Sequence, residues 1–150
     1  TLENGIAVDA RCRTSDPSIY AAGDCASFPW RGGRLRLESV QNAIDQAEHV
    51  AAAIMGSDEP YRPSPWFWSD QYDCKLQIAG LNTGYDRVVI RPGSRPGGQS
   101  VWYFKAGTLL AVDAMSDPKA YMQVKRWIES GDSPDPDKVG DASVELKTLV

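Results

Sequence analysis

Apolar and polar positions along the chain change period several times. Gly5-Ile6-Ala7-Val8-Asp9 reads as a turn entering a short strand, and Arg11-Cys12-Arg13 continues it with alternating character. Thr14-Ser15-Asp16-Pro17 is a polar turn punctuated by proline. Ile19-Tyr20-Ala21-Ala22 is an apolar run of the kind carried by a strand buried on both faces, and it ends at Gly23-Asp24-Cys25-Ala26. Residues 29–37, with Pro29, Gly32 and Gly33, read as a loop. The period then becomes helical. Val40, Ala43, Ile44, Ala47, Val50, Ala51 and Ile54 recur at spacings of three and four, which predicts an amphipathic helix from Ser39 to Met55. Ser39 and Asn42 are its candidate caps, and Gly56 is a natural stop.

Pro60, Pro63 and Pro65 lie in a polar stretch that reads as a linker. The chain beyond it has a different texture. An aromatic-rich segment, Trp66 to Tyr72, precedes strands at Lys75–Gly80, Arg87–Arg91, Val101–Phe104 and Thr108–Val112. Short strands joined by glycine turns predict an antiparallel meander. Asp117-Pro118 opens a second helix, with Tyr121, Val124, Lys125 and Ile128 at helical spacing and Gly131 at its end. Pro134 and Pro136 break the pattern, and Ser143 to Val150 reads as an extended tail. No internal repeat is present.

The 150 residues suit one domain, or a small domain with an appended piece. Hydrophobic residues at 42% and charged residues at 24% fit a globular protein rather than a disordered one. The net charge of −4 and a pI near 4.9 disfavour nucleic acid and anionic membranes as partners. The longest apolar run, Val50 to Met55, falls far short of the ~20 residues a membrane span needs. Cys12, Cys25 and Cys74 are odd in number and form no C-x-x-C pair. They read as three buried or half-buried thiols in a reducing cytoplasm. The chain starts on Thr1, directly in a turn and a strand, and so reads as a piece of something longer.

Three stretches carry candidate chemistry. A strand ending in Gly23-Asp24 presents a carboxylate where open α/β sheets bind ligands, and a glycine there permits close backbone approach. Such a carboxylate accepts hydrogen bonds from sugar or polyol hydroxyls, although Gly-Asp alone is equally a strand-ending turn. The helix start Glu38-Ser39-Val40-Gln41 offers unpaired N–H groups to an electron-rich carbonyl or an anion. Pro65-Trp66-Phe67-Trp68 is either core or a stacking wall for a planar ring.

Taken in order, these stretches resemble the carboxyl-terminal third of the FAD-dependent ferredoxin reductases, the group that includes putidaredoxin reductase, rubredoxin reductase and the reductase components of aromatic-ring dioxygenases. The matching text is RTSDPSIYAAGDCA at 13–26, LESVQNAIDQAEHVAAAIMG at 37–56 and PWFWSDQYDCKLQIAGL at 65–81, followed by GYDRVVIRPG and LLAVDAMSDP. The resemblance covers nearly the whole chain, and PWFWSDQ is its most specific part.

The resemblance implies an α+β fold. Residues 1–60 would be the closing strand–helix segment of an α/β FAD-binding domain. Residues 64–150 would be a C-terminal domain with an antiparallel sheet and packed helices. It also implies FAD as cofactor, NADH or NADPH as co-substrate, and a ferredoxin-type iron–sulfur protein as partner. Asp24 then faces the FAD ribityl chain, with Gly23 giving the close approach. Ser39, Val40 and Gln41 form the helix start at the flavin pyrimidine end, and Glu38 lies near the nicotinamide. Trp68 lies beside the isoalloxazine, with Trp66 next to it and closer to the surface where the partner docks. No side-chain acid, base or nucleophile is needed, because the cofactors carry the chemistry.

The chain departs from a complete reductase in one respect. It has no G-x-G-x-x-G turn, the element that cradles a dinucleotide pyrophosphate. The isolated chain is therefore expected to bind FAD weakly or not at all, to lack reductase activity, and to dimerise through uncovered apolar surface. A non-catalytic dimerisation or docking module is the rival reading. His49 has no metal partner at useful spacing, and Asp132, Asp135 and Asp137 lack a calcium-loop pattern. Arg31, Arg34 and Arg36 read as a basic loop serving solubility or an acidic partner.

Overall fold

The computed structural model describes residues 1–150 as two compact units, Thr1–Pro65 and Trp66–Val150. In the first unit, β1 (Ile6–Ala7) pairs parallel with β2 (Ala26–Trp30), and β2 pairs antiparallel with β3 (Gly33–Arg36). A small core of Val8, Cys12, Ala21, Ala26, Phe28 and Tyr61 lies against this sheet. Residues 29–37 are therefore a hairpin and not a loop. Arg31 and Gly32 form its two-residue turn at φ 43° and 82°, the positive pair that matches the twist of a hairpin.

Two other expectations for this unit fail. Ile19–Ala22 is not a buried strand: Tyr20 makes one isolated bridge to Arg13, Ile19 is 54% exposed, and the chain tightens into a single 3₁₀ turn at Gly23–Cys25. Its backbone pairs only with the adjacent 12–14 segment, through the Thr14 amide to the Ile19 carbonyl and the Ala21 amide to the Cys12 carbonyl, so it joins no sheet. Arg11–Arg13 also turns rather than extends, because Asp9 accepts hydrogen bonds from the Arg11 and Arg13 amides and closes the chain on itself.

Helix α1 (Val40–Ile54) forms where the period predicts, capped by the Ser39 hydroxyl, which accepts from the Asn42 amide at 3.1 Å. Most of its apolar stripe is left uncovered, and only Val50 of it packs on the core. Val40, Ile44 and Ile54 are exposed, while Asn42, Gln46 and Ala53 are buried. The polar seam turns inward because it has fixed partners. Asn42 accepts from the Tyr61 hydroxyl and donates to the Leu37 carbonyl, and Gln46 accepts from the Gly23 amide.

The second unit is a five-stranded antiparallel sheet in the order β4-β5-β8-β7-β6. The strands are β4 (Trp66–Gln71), β5 (Cys74–Gly80), β6 (Arg87–Pro92), β7 (Gln99–Lys105) and β8 (Thr108–Met115). The order is not a simple meander. The last strand inserts between β5 and β7, because Ala79, Trp102, Val112 and Ala114 bury a shared apolar face with α2 (Pro118–Ser130).

The α2 stripe Ala120, Tyr121, Val124 and Trp127 fills that face, and a fully buried side chain the size of Val124 contributes roughly 1.5–3 kcal/mol. A buried polar chain locks the helix start. The Trp102 indole donates to the Ser100 oxygen, the Ser100 hydroxyl donates to Asp117, and Asp117 caps Ala120. A short α3 (Pro136–Val139) follows. The tail then ends in a 3₁₀ turn at Leu146–Thr148, where an extended segment was expected.

The architecture is α+β, as the sequence implies. Two of the three cysteines, Cys25 and Cys74, are exposed, so the expectation of three sheltered thiols holds only for Cys12.

Candidate functional site

The Gly23-Asp24 turn is the best-supported part of the site. Gly23 is buried at φ 78°, and its amide donates to Gln46 Oε1 at 2.7 Å. Asp24 is exposed immediately beyond it. Its carbonyl accepts from Arg36 at 3.0 Å, so the turn is held on both sides. Its carboxylate has no hydrogen-bond or ion-pair partner within the chain. A rigid backbone turn presenting a free carboxylate is chemically suited to accept hydrogen bonds from a polyol.

The helix start lies on the same unit. Ser39 is buried and its hydroxyl is committed to the cap, so it contributes order rather than a free side chain. Val40 is 58% exposed, and the Val40 and Gln41 amides precede the first intrahelical bond, which the Ala43 amide donates to the Ser39 carbonyl. These amides are free to meet an electron-rich carbonyl. The Gln41 side chain donates to Asp45 at 2.6 Å and is occupied. Glu38 is exposed and paired with Arg36.

Arg34 and Arg36 are therefore not a free basic loop. Arg34 donates to the Val8 carbonyl and pairs with Glu3, and only Arg31 stays loosely placed, over the Trp30 ring.

The aromatic part lies on the second unit, at the edge strand β4. Trp66 and Trp68 stack with ring centroids 5.3 Å apart and planes 27° apart. They stand two residues apart on one strand face, which is why they meet. Trp66 packs against the buried cluster around Tyr121, so within this unit it is the anchored ring, where the resemblance placed it nearer the surface. The Lys125 ammonium lies over the Trp66 ring at 5.3 Å. Phe67 points to the opposite face and is 39% exposed. This is the geometry of a stacking edge and not of a closed core.

Sequence reasoning missed Gln46 and Lys125, and it read Arg36 as part of a basic loop and not as the residue that holds the Asp24 carbonyl. Gln46 is fully buried, and its Nε2 has no hydrogen-bond acceptor. Its neighbour Cys12 is also fully buried, and burial pushes that thiol up to about 11, against the opposing pull of the Gln46 amide. The available signal was the recurrence of polar Asn42, Gln46 and His49 at helical spacing opposite the apolar stripe.

Residues 1–47 match the pyridine nucleotide-disulphide oxidoreductase family. Within that class the chain belongs to the Reductase C-terminal family, which matches residues 66–150. It is 41% identical over 151 residues to rhodocoxin reductase of Rhodococcus erythropolis, covering 99% of this chain and 35% of that protein. Among solved structures it is similar to a ferredoxin reductase for the CYP199A2 system from Rhodopseudomonas palustris. That match has TM-score 0.89 and 42% identity, covering 98% of this chain and 37% of that one. It is also similar to the reductase of a covalent putidaredoxin reductase–putidaredoxin complex, with TM-score 0.88 and 39% identity over 99% of this chain and 36% of that one. The chain thus spans about a third of the length of these relatives. The relatives are ferredoxin reductases, as the motifs at 13–26, 37–56 and 65–81 implied.

Proposed function

We propose that the chain forms the closing FAD-binding segment, residues 1–60, and the C-terminal domain, residues 64–150, of an oxidoreductase. That enzyme carries electrons from NADH or NADPH through FAD to a ferredoxin-type iron–sulfur protein. The observation that carries this reading is the Gly23-Asp24 turn, a buried glycine pinned by Gln46 beside a carboxylate with no partner of its own.

FAD, when bound, supplies the exchange between two-electron and one-electron chemistry. The residues do the rest. Asp24 accepts hydrogen bonds from ribityl hydroxyls, and Gly23 lets the backbone approach. The Val40 and Gln41 amides meet pyrimidine oxygens at the helix start, Ser39 holds that start in shape, and Glu38 borders the nicotinamide side. Trp68 stacks near the ring system and Trp66 supports it. Three thiols with no disulfide among them suit a reducing cytoplasm. The names of the relatives, one of them a reductase captured in a covalent complex with putidaredoxin, support an acceptor of that kind.

The uncovered stripe of α1, with Val40, Ile44 and Ile54 exposed, favours a second reading. In that reading the chain is a dimerisation or docking module without catalysis.

One experiment separates the two. The native species is captured from its source with an antibody to this chain, and its intact mass and visible spectrum are recorded. A flavin-absorbing species much heavier than 16.4 kDa supports the reductase. A colourless species near 16.4 kDa sinks it and leaves the module.

A further inference from the structure

A cavity of about 560 Å³ opens in the second unit between the end of β6, the first turns of α2 and the tail around Val144. That volume lies in the range of small-molecule sites, roughly 300–1,000 Å³. None of the candidate flavin residues lines it.

Its wall contains an unusual cation. Arg91 is only 7% exposed, and its guanidinium donates to the carbonyls of Val139, Asp141 and Val144 at 2.6–2.8 Å. Those partners are neutral. The guanidinium is bonded to dipoles and to no carboxylate directly, with the exposed Asp141 carboxylate acting on it only through space, and a buried charge so weakly compensated is costly.

Two further cations, Lys119 and Arg126, line the same cavity without an ion-pair partner. A fourth, Lys147, is spent on Glu145 at 2.8 Å. The other acid of the wall, Asp117, is buried and committed to Ser100 and the α2 cap. The wall therefore carries more positive than negative charge. The floor is apolar, from Met122, Val144 and Leu146, and Met122 is 49% exposed with nothing covering it.

We propose that this cavity binds a small organic monocarboxylate. Its carboxylate would lie among Arg91, Lys119 and Arg126, and its apolar body would lie on Met122, Val144 and Leu146. Glu145 and Asp117 disfavour a dianion, and the apolar floor disfavours a fully hydrated inorganic anion. Because Arg91 also clasps the tail through three carbonyls, the bound acid would fasten residues 139–147 to the sheet.

The test uses the whole 150-residue chain with benzoate as the probe, benzamide as its neutral counterpart and inorganic phosphate as a bare anion, at constant ionic strength. Binding is followed by amide NMR shifts. Lys119→Gln with Arg126→Gln is the companion variant. Both side chains make no hydrogen bond or ion pair within the chain, so their loss leaves the fold intact, which the melting curve checks.

The expected result is saturable benzoate binding with shifts confined to residues 91–94, 117–126 and 142–147. Benzamide and phosphate should each bind at least about tenfold more weakly, and the variant should bind benzoate at least about tenfold more weakly. Non-saturating or scattered shifts overturn the site. Equal binding of benzamide overturns the carboxylate assignment, and equal binding of phosphate overturns the need for an apolar body.

Discussion

Gln46 ties helix α1 to the turn that carries the candidate carboxylate. It is fully buried on α1, and its Oε1 accepts the amide that positions the Gly23-Asp24 turn. Replacing it with leucine keeps the volume and leaves the Gly23 N–H buried without an acceptor. Gln46→Leu should therefore cost about 1–3 kcal/mol, the penalty for an orphaned buried donor. Urea denaturation followed by far-UV circular dichroism measures it, and an unchanged midpoint would show that the bond contributes no more than the unpartnered Gln46 Nε2 costs. The sequence made Gly23 and Asp24 legible, because the pair follows an apolar run and precedes a helix. It did not make Gln46 legible. The polar seam of Asn42, Gln46 and His49 reads as a solvated face unless the partner of Gln46, 23 residues earlier in the chain, is already known.

At the scale of elements, local signals were readable and pairings were not. The two long helices, their Ser39 and Asp117 caps and all four strands expected after the linker lie where the periodicity places them. The turn at Arg31-Gly32 was hidden because an arginine at positive φ has no sequence signature. The insertion of β8 between β5 and β7 was hidden because strand order is a matter of long-range packing. That crossover explains one glycine. Gly80 ends β5 at φ 80°, and a Cβ there would lie 2.1 Å from the Leu110 carbonyl oxygen and 2.7 Å from Ile128 Cδ1. The first contact is with backbone of the inserted strand, which cannot yield without breaking the ladder. Gly80→Ala should then cost more than about 4 kcal/mol, in the range reserved for severe steric conflict. Thermal melting of the chain checks it. A cooperative transition of the second unit at the wild-type temperature would mean that β8 is not inserted as described.

At the scale of the whole molecule, two cores decide how the chain behaves. Every member of the cluster around Trp102, Val112 and Trp127 comes from residues 66–150, and every member of the cluster around Phe28 and Tyr61 comes from residues 1–65. The larger one buries two tryptophans, Trp102 at 0% and Trp127 at 4% exposure, and its polar chain from Trp102 to Ala120 is complete. The smaller one is built on a three-stranded sheet whose β1 has only two residues, and it leaves Val40, Ile44, Ile54 and Met55 of α1 and its C-terminal turn in solvent. Domains with few buried apolar contacts open first. Unfolding should therefore proceed in two steps. The first unit should melt at the lower temperature, and the near-ultraviolet dichroism of the buried tryptophans should survive until the second step. Residues 66–150 produced alone should keep that upper transition within a few degrees. A single transition seen by every probe, or a fragment 66–150 without tryptophan dichroism, would show that the two cores fold as one unit.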